Sequence, residues 1–410
     1  MKDYEIFTLS NGLRVVHRFV SHTKIAHCGF VLDIGSRDEH PEEHGIAHFW
    51  EHMAFKGTQK RKSFHIINRL EVFGGELNAY TTKEKICFYA SILDDHYEKA
   101  VELLADITFN STFPEREIEK EKTVILEEMS MYEDSPEESV HEDFEELIYG
   151  KHALAHTILG KNKTVKSFQK QHFINFIGEN LDTRKVIFSS IGNIPLSKVK
   201  KLAERYFSEV PFRVVKKKRS PFTSYKPRTL VVNKKIQQAH CIMGTVAYSI
   251  KDEKRLPFFM LINLLGGPSM NSRLNMSLRE KHGLVYNVEA NYNSFIDTGN
   301  LSIYFGTEKT QVEKSLNLVK KELRKLKEKP LGSLQLHTCK EQLIGQLAMA
   351  EESNISFMQM MGKSLLDLGQ IESLDEIFKR IRKTSARELQ EIAEEIFDED
   401  RFSYLTYLPE

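Results

Sequence analysis

HGIAHFWEHMAF, residues 44–55, decides how the rest of the chain is read. His44, His48 and His52 recur every four residues, with Glu51 beside the last. At about 100° per residue, a helix sets Glu51 about 60° to one side of His48 and His52 about 40° to the other. Ile46, Phe49, Trp50, Met53 and Ala54 take the far side, the stripe such a helix buries. Two imidazoles at i,i+4 reach one ion, and zinc accepts nitrogen at about 2.0–2.1 Å. A carboxylate beside them that is not a ligand suits a base that deprotonates water. His44 stands about 12 Å from His52 along such a helix, too far to share its ion. It reads as a surface or cleft-edge residue. A bare histidine pair is commonplace in a chain with 16 histidines; Glu51 and the apolar back are what make this one a candidate site.

A catalytic zinc takes three protein ligands and keeps one position open, so a third ligand must come from elsewhere. EREIEKEKTVILEEMSMYEDSP (115–136) predicts a long acidic helix with Ile118, Ile125, Met129 and Tyr132 as its apolar stripe. Glu121 and Glu128, seven apart, fall two turns along one face. The pattern alone leaves Glu121, Glu127 and Glu128 open as the third ligand.

The chain states one plan twice. AHCGFVLDIGS (26–36) is echoed by AHCIMGTVAYS (239–249), and each is followed by two helical stretches. Paired strands are then predicted over 76–93 and 286–307, followed by long helical segments and a late strand, 185–193 and 401–408. Ser373 with Glu376, and Ser385 with Glu388, form capping-box patterns that start two late helices. The break falls in VVKKKRSPFTSYKPRT (214–229), with two prolines, a charge run and no apolar period. The expected fold class is α+β: two similar domains, each a mainly antiparallel sheet with helices packed on it. Residues 1–213 form the expected metal-binding domain, 214–228 the linker, and 229–410 a homologous domain without the metal motif.

Composition excludes several classes of function. Lys+Arg and Asp+Glu both total 58, so no overall charge points to nucleic acid or to a membrane surface. The basic run Lys216–Arg219 reads as solvated linker. No apolar run is long enough to span a membrane. MKDYEIFTLSNGLRVV lacks the apolar core of a signal peptide, which favours a cytoplasmic location. Cys28, Cys87, Cys241 and Cys339 are scattered in apolar surroundings and read as buried free thiols of a reducing compartment.

The motifs resemble one family, the inverzincin metallopeptidases of pitrilysin, insulysin and the mitochondrial processing peptidase. HFWEHMAFKGT (48–58) carries the inverted H-x-x-E-H order, and GGELNAYTTKE (74–84) is similar to the family's Gly-rich turn and strand. EKEKTVILEEM (119–129) resembles its third-ligand helix, with Glu128 at the family's spacing, 76 residues past His52. LGGPSMNSRLNMSLREKHGLVYNVEANY (265–292) is similar to its glycine-rich segment with a following arginine and tyrosine. The resemblance covers essentially the whole chain. It implies a zinc endopeptidase acting on extended or unfolded peptides, with one Zn²⁺ per chain on His48, His52 and Glu128. It implies Glu51 as the base, Glu121 as a helper of the site, Tyr286 as oxyanion donor and Arg279 as substrate binder. Substrate would lie along Leu77, Asn78, Ala79 and Tyr80 and near Gly266 and Gly267. In longer relatives the zinc helix and the Arg/Tyr pair sit in opposite halves. The expectation is therefore a homodimer, or a heterodimer with an inactive homologue, with a composite active site. The alternative is a catalytic or non-catalytic subunit of a heteromeric processing peptidase or structural assembly.

Overall fold

VIFSSIG, residues 186–192, is buried at every position, as expected of a strand covered on both faces. In a computed structural model, which describes residues 4–216 and 219–410, it forms the sixth strand of a six-stranded sheet. That sheet comprises β1 (Glu5–Thr8), β2 (Arg14–Phe19), β3 (Ile25–Leu32), β4 (Glu76–Thr81), β5 (Ile86–Leu93) and β6 (Val186–Gly192). Their order is β1-β2-β6-β3-β5-β4. Only β2 and β6 pair in parallel. A second sheet holds β7 (Thr229–Lys234), β8 (Ala239–Ala247), β9 (Val285–Ser294), β10 (Gly299–Thr307) and β11 (Ser403–Pro409), in the order β7-β11-β8-β10-β9. Again one pair, β7 with β11, is parallel. The two sheets share one plan: the late strand sits beside an early one, and the first strand of a hairpin takes the edge. The fold is the α+β duplication expected from the repeated pattern.

Each sheet is covered on both faces. On β3, neighbouring residues point to opposite sides. Phe30 meets Phe109 of helix Tyr97–Phe109 and Phe207 of helix Leu196–Phe207, while Val31 joins Val16, Ile187, Met358, Met361 and Leu365. The last three of those methionine and leucine contacts come from helix Asn354–Leu368, late in the chain. This helix lies close on the sheet, because a Cβ at Gly362 would stand 2.7 Å from Val31 Cγ2. Ser189 Oγ also donates to Met358 O at 2.6 Å. In the second sheet Met243, Leu301 and Ile303 pack with helices Arg255–Gly266 and Ala386–Ile396. Its other face, including Ile242, Leu405 and Tyr407, is covered by Val140, Phe144 and Ile148 of helix Pro136–Tyr149.

The compact units therefore differ from the contiguous halves read from sequence. Among the described residues, one comprises 4–129, 156–216, 219 and 349–373; the other comprises 130–155, 220–348 and 374–410. Each half lends a helix to the other's sheet. Apolar periodicity shows that a helix buries a face, and it carries no record of which sheet receives it.

Residue 219 corrects the solvated-linker reading of the basic run; Lys217 and Lys218 of that run lie outside the described residues. The Arg219 side chain is 13% exposed and enters a cup of carboxylates. Its Nη1 lies 2.8 Å from Asp33, and its Nε and Nη2 donate to the two oxygens of Asp38, each at 2.8 Å. A bidentate arginine–carboxylate pair of this kind fixes orientation as well as charge. Of the capping boxes, Ser385 and Glu388 form theirs. All four cysteines are buried and free. Among the described residues no helix is long and apolar enough to cross a membrane.

Candidate metal centre

The motif helix runs from Ile46 to Ala54, and Gly45 before it has φ +98°. That left-handed residue ends the helix on its N-terminal side, so His44 lies outside it. Nine residues make a marginal helix on their own. Here Glu39 satisfies two N-terminal donors, accepting from Gly45 N and Ala47 N at 2.9 Å each. Burial pushes the Glu39 carboxyl well up, and those hydrogen bonds oppose it. The apolar stripe is buried throughout, with Phe49 edge-on to Phe168 and Phe173 and Trp50 edge-on to Phe88 and Phe176.

His44 is buried, not a surface or cleft-edge residue. Its ring packs 3.9 Å from that of His156, and its carbonyl accepts from Thr164 Oγ1 at 2.6 Å. Burial, with the nearby His156 and Lys161, lowers its pKa to about 4. Gly45 and Gly160 explain how the loop comes so near. A Cβ on Gly160 would stand 2.2 Å from His44 O, and one on Gly45 would stand 2.6 Å from Leu159 O. Only the loop's packing decides this, and no period in the sequence reports it.

Beyond that start, the helix presents His48 and His52 to the long helix Glu115–Glu133. His48 Nε2 lies 3.7 Å from Glu128 Oε1, and His52 Nε2 lies 3.6 Å from Glu128 Oε2. These separations exceed hydrogen-bond length and remain short enough for one ion with bonds of about 2.0–2.2 Å to touch both partners. One donor atom from each of the three residues lies within 4.8 Å of the others, the one such grouping of His, Cys, Asp and Glu among the described residues. Glu127 is exposed and stands outside the group. Two imidazoles and a carboxylate form a donor set that fits a zinc ion.

The surroundings prepare these side chains. Glu121 is buried and accepts from His52 Nδ1 at 2.9 Å and from Lys56 Nζ at 2.7 Å. A protonated Nδ1 leaves Nε2, which faces Glu128, with a free lone pair. Burial opposes the charge on Glu121, yet the bonds from His52 and Lys56 lower its pKa overall. Burial, reinforced by His52, pulls His48 down to about 3, which keeps its imidazole in the neutral form that binds metal. His48 Nδ1 is buried without a hydrogen-bond partner. Burial raises Glu128, with His52 opposing. Glu51, between the histidines, is raised by burial, against a hydrogen bond that Thr81 Oγ1 donates to its Oε2 at 2.5 Å.

Leu77, Asn78, Ala79 and Tyr80 lie on β4, the edge of the first sheet. β4 pairs with β5 along one side only, and the motif helix packs against it. Arg279, Tyr286, Gly266 and Gly267 belong to the other compact unit. There the Arg279 guanidinium lies 5.3 Å from the Tyr286 ring, and Tyr286 is 83% exposed. Arg279 and both glycines line a cavity of about 350 Å³ beside β9. Sequence reasoning missed Glu39, Lys56 and Thr81. The last two stand inside the quoted motifs, yet neither type is a metal ligand, so nothing in the pattern singled them out.

Comparison with known proteins gives the family of the chain. Residues 14–162 match the family described as insulinase (peptidase family M16), and residues 167–343 match its inactive domain. An uncharacterized zinc protease of Bacillus subtilis, YmxG, is 36% identical over 396 residues, covering 96% of each chain. An uncharacterized zinc protease of Rickettsia felis is 33% identical over 401 residues, covering 97% of this chain and 95% of its own. Two solved structures share the fold with a TM-score of 0.92. They are a peptidase M16 inactive-domain protein of Pseudomonas fluorescens (17% identical, covering 100% of this chain and 98% of its own) and a Helicobacter pylori protease (21%, covering 99% of each). The chain thus belongs to peptidase family M16, the insulinase family.

Proposed function

We propose that the protein is a zinc endopeptidase that hydrolyses peptide bonds in extended or unfolded peptides. The observation that carries this reading is the convergence of His48, His52 and Glu128 beside a carboxylate, Glu51, that is not one of the three. A zinc ion held there supplies Lewis acidity to an attacking water and a scissile carbonyl. Glu51 takes the proton of that water and returns one to the leaving amine. Leu77 to Tyr80 offer an unpaired strand edge to which an extended chain adds main-chain hydrogen bonds, a mode that favours unfolded substrates.

The test combines metal analysis with mass-spectrometric mapping of cleavage in a library of unstructured peptides. We expect one zinc per chain, cleavage lost to a chelator and restored by zinc, and zinc content reduced by Glu128→Gln. Cleavage that persists in fully chelated protein overturns the reading.

Arg279 and Tyr286 are assigned to substrate and oxyanion binding, supplied across a dimer to the partner's metal centre. Mixing inactive Glu51→Gln chains with inactive Tyr286→Phe chains is expected to recover up to about a quarter of wild-type activity, the share of sites intact under random pairing. A mixture as inactive as its components excludes shared sites.

A further inference from the structure

The Glu51 carboxylate ends a side chain with three rotatable bonds, so its aim depends on what holds it. Among the described residues it has one hydrogen-bond partner, the Thr81 hydroxyl at 2.5 Å. We propose that Thr81 is the positioning residue of this site: its hydroxyl holds Oε2 of Glu51 and so directs Oε1 toward the attacking water. This deepens the peptidase reading and rests on it.

Three observations carry the assignment beyond a merely satisfied carboxylate. Thr81 is the last residue of β4 and pairs with Ile86 across the hairpin, so its backbone is fixed by the sheet. A β-branched side chain is also stiff at χ1, which fixes the direction of the hydroxyl. Next, the turn that follows is clamped residue by residue. Thr82 N donates to Lys85 O at 2.7 Å, and Thr82 Oγ1 accepts from Lys85 N at 2.9 Å. Lys83 Nζ reaches His156 O at 2.5 Å, Glu84 pairs with Arg37 at 2.6 Å, and Lys85 pairs with Asp367 at 2.9 Å. From outside, Ser36 N and Arg37 N donate to the carbonyls of Thr82 and Lys83, and Arg219 Nη2 donates to that of Glu84. Gly35 permits that approach, since a Cβ there would stand 2.5 Å from Glu84 N. A four-residue turn with this many anchors is built for position.

The third observation concerns the strand itself. Leu77 to Tyr80, the edge offered to substrate, run directly into Thr81. The element that takes up the peptide thus also holds the base, so the register of the one is fixed against the other.

The experiment compares Thr81→Val, which keeps shape and loses the hydroxyl, with Thr81→Ser, which keeps the hydroxyl. Thr81→Val is expected to lower kcat by about 10- to 100-fold, the scale of a misaimed catalytic group. Its KM and zinc content stay near wild type, and Thr81→Ser restores kcat to within a few-fold. Crystal structures of the metal-free variants give a readout independent of turnover: more than one Glu51 rotamer in Thr81→Val, and a single one in Thr81→Ser. Wild-type kcat in Thr81→Val, or a Thr81→Ser as slow as Thr81→Val, overturns the assignment while the peptidase reading stands. A wild-type protein without zinc-dependent cleavage overturns both.

Discussion

Glu51→Gln should slow peptide hydrolysis by about 10²- to 10⁴-fold, the contribution of a general base, while the bound zinc stays in place. The substitution keeps the volume and the oxygen that accepts from Thr81, and removes the site's capacity to take a proton. Because the candidate ligand set of His48, His52 and Glu128 comes together without it, metal content should match wild type. Folding should not suffer either, since a carboxylate whose pKa is raised by burial is no source of stability when charged. Elemental analysis beside a peptide assay checks both halves. Full activity in the variant removes Glu51 from its role, and loss of zinc would make it a ligand.

A fragment of residues 1–219 should not fold, although it contains all six strands of the first sheet and every residue of the candidate metal centre. It lacks helix Asn354–Leu368 with Met358, Met361, Leu365 and Leu366, and Ile371 just beyond it. At about 1.5–3 kcal/mol for each buried side chain, the loss is on the order of 10 kcal/mol. That matches the whole stability of an ordinary domain, about 5–15 kcal/mol. The same fragment also exposes Val140, Phe144 and Ile148, which bury against the second sheet in the intact chain. Circular dichroism during heating and binding of a hydrophobic dye report the outcome. A cooperative melt near that of the full chain would show that the first sheet does not need its late helix.

Much of this was legible in the chain. The repeated strand pattern predicted two similar sheets, and each predicted hairpin falls where the structure has one. The helix period placed His48, Glu51 and His52 on one face. Resemblance, and not period, separated Glu128 from Glu121 and Glu127, because all three glutamates suit a solvated acidic helix. The illegible part lay in contacts between distant residues. The charge run ending at Arg219 looked solvated because its partners, Asp33 and Asp38, lie in a loop with no periodic signal. His44 looked continuous with the helix because its four-residue spacing carries no sign that Gly45, at a φ of +98°, lies between it and the helix start. The lent helices looked local because amphipathicity is a property of one segment, and its partner is a property of the whole fold.

The exchange of helices also sets an order of assembly during synthesis. The candidate metal-site motifs and the last strand of the first sheet are complete once Gly192 has been made, yet the helix that covers the sheet ends at Leu368. At about 5–20 residues per second the interval is on the order of ten to forty seconds. Throughout it Val16, Val31, Ile187 and Ile191 have no cover. A nascent chain in that window leaves these apolar residues open to chaperones, and its first sheet cannot be completed until the second half has been synthesised.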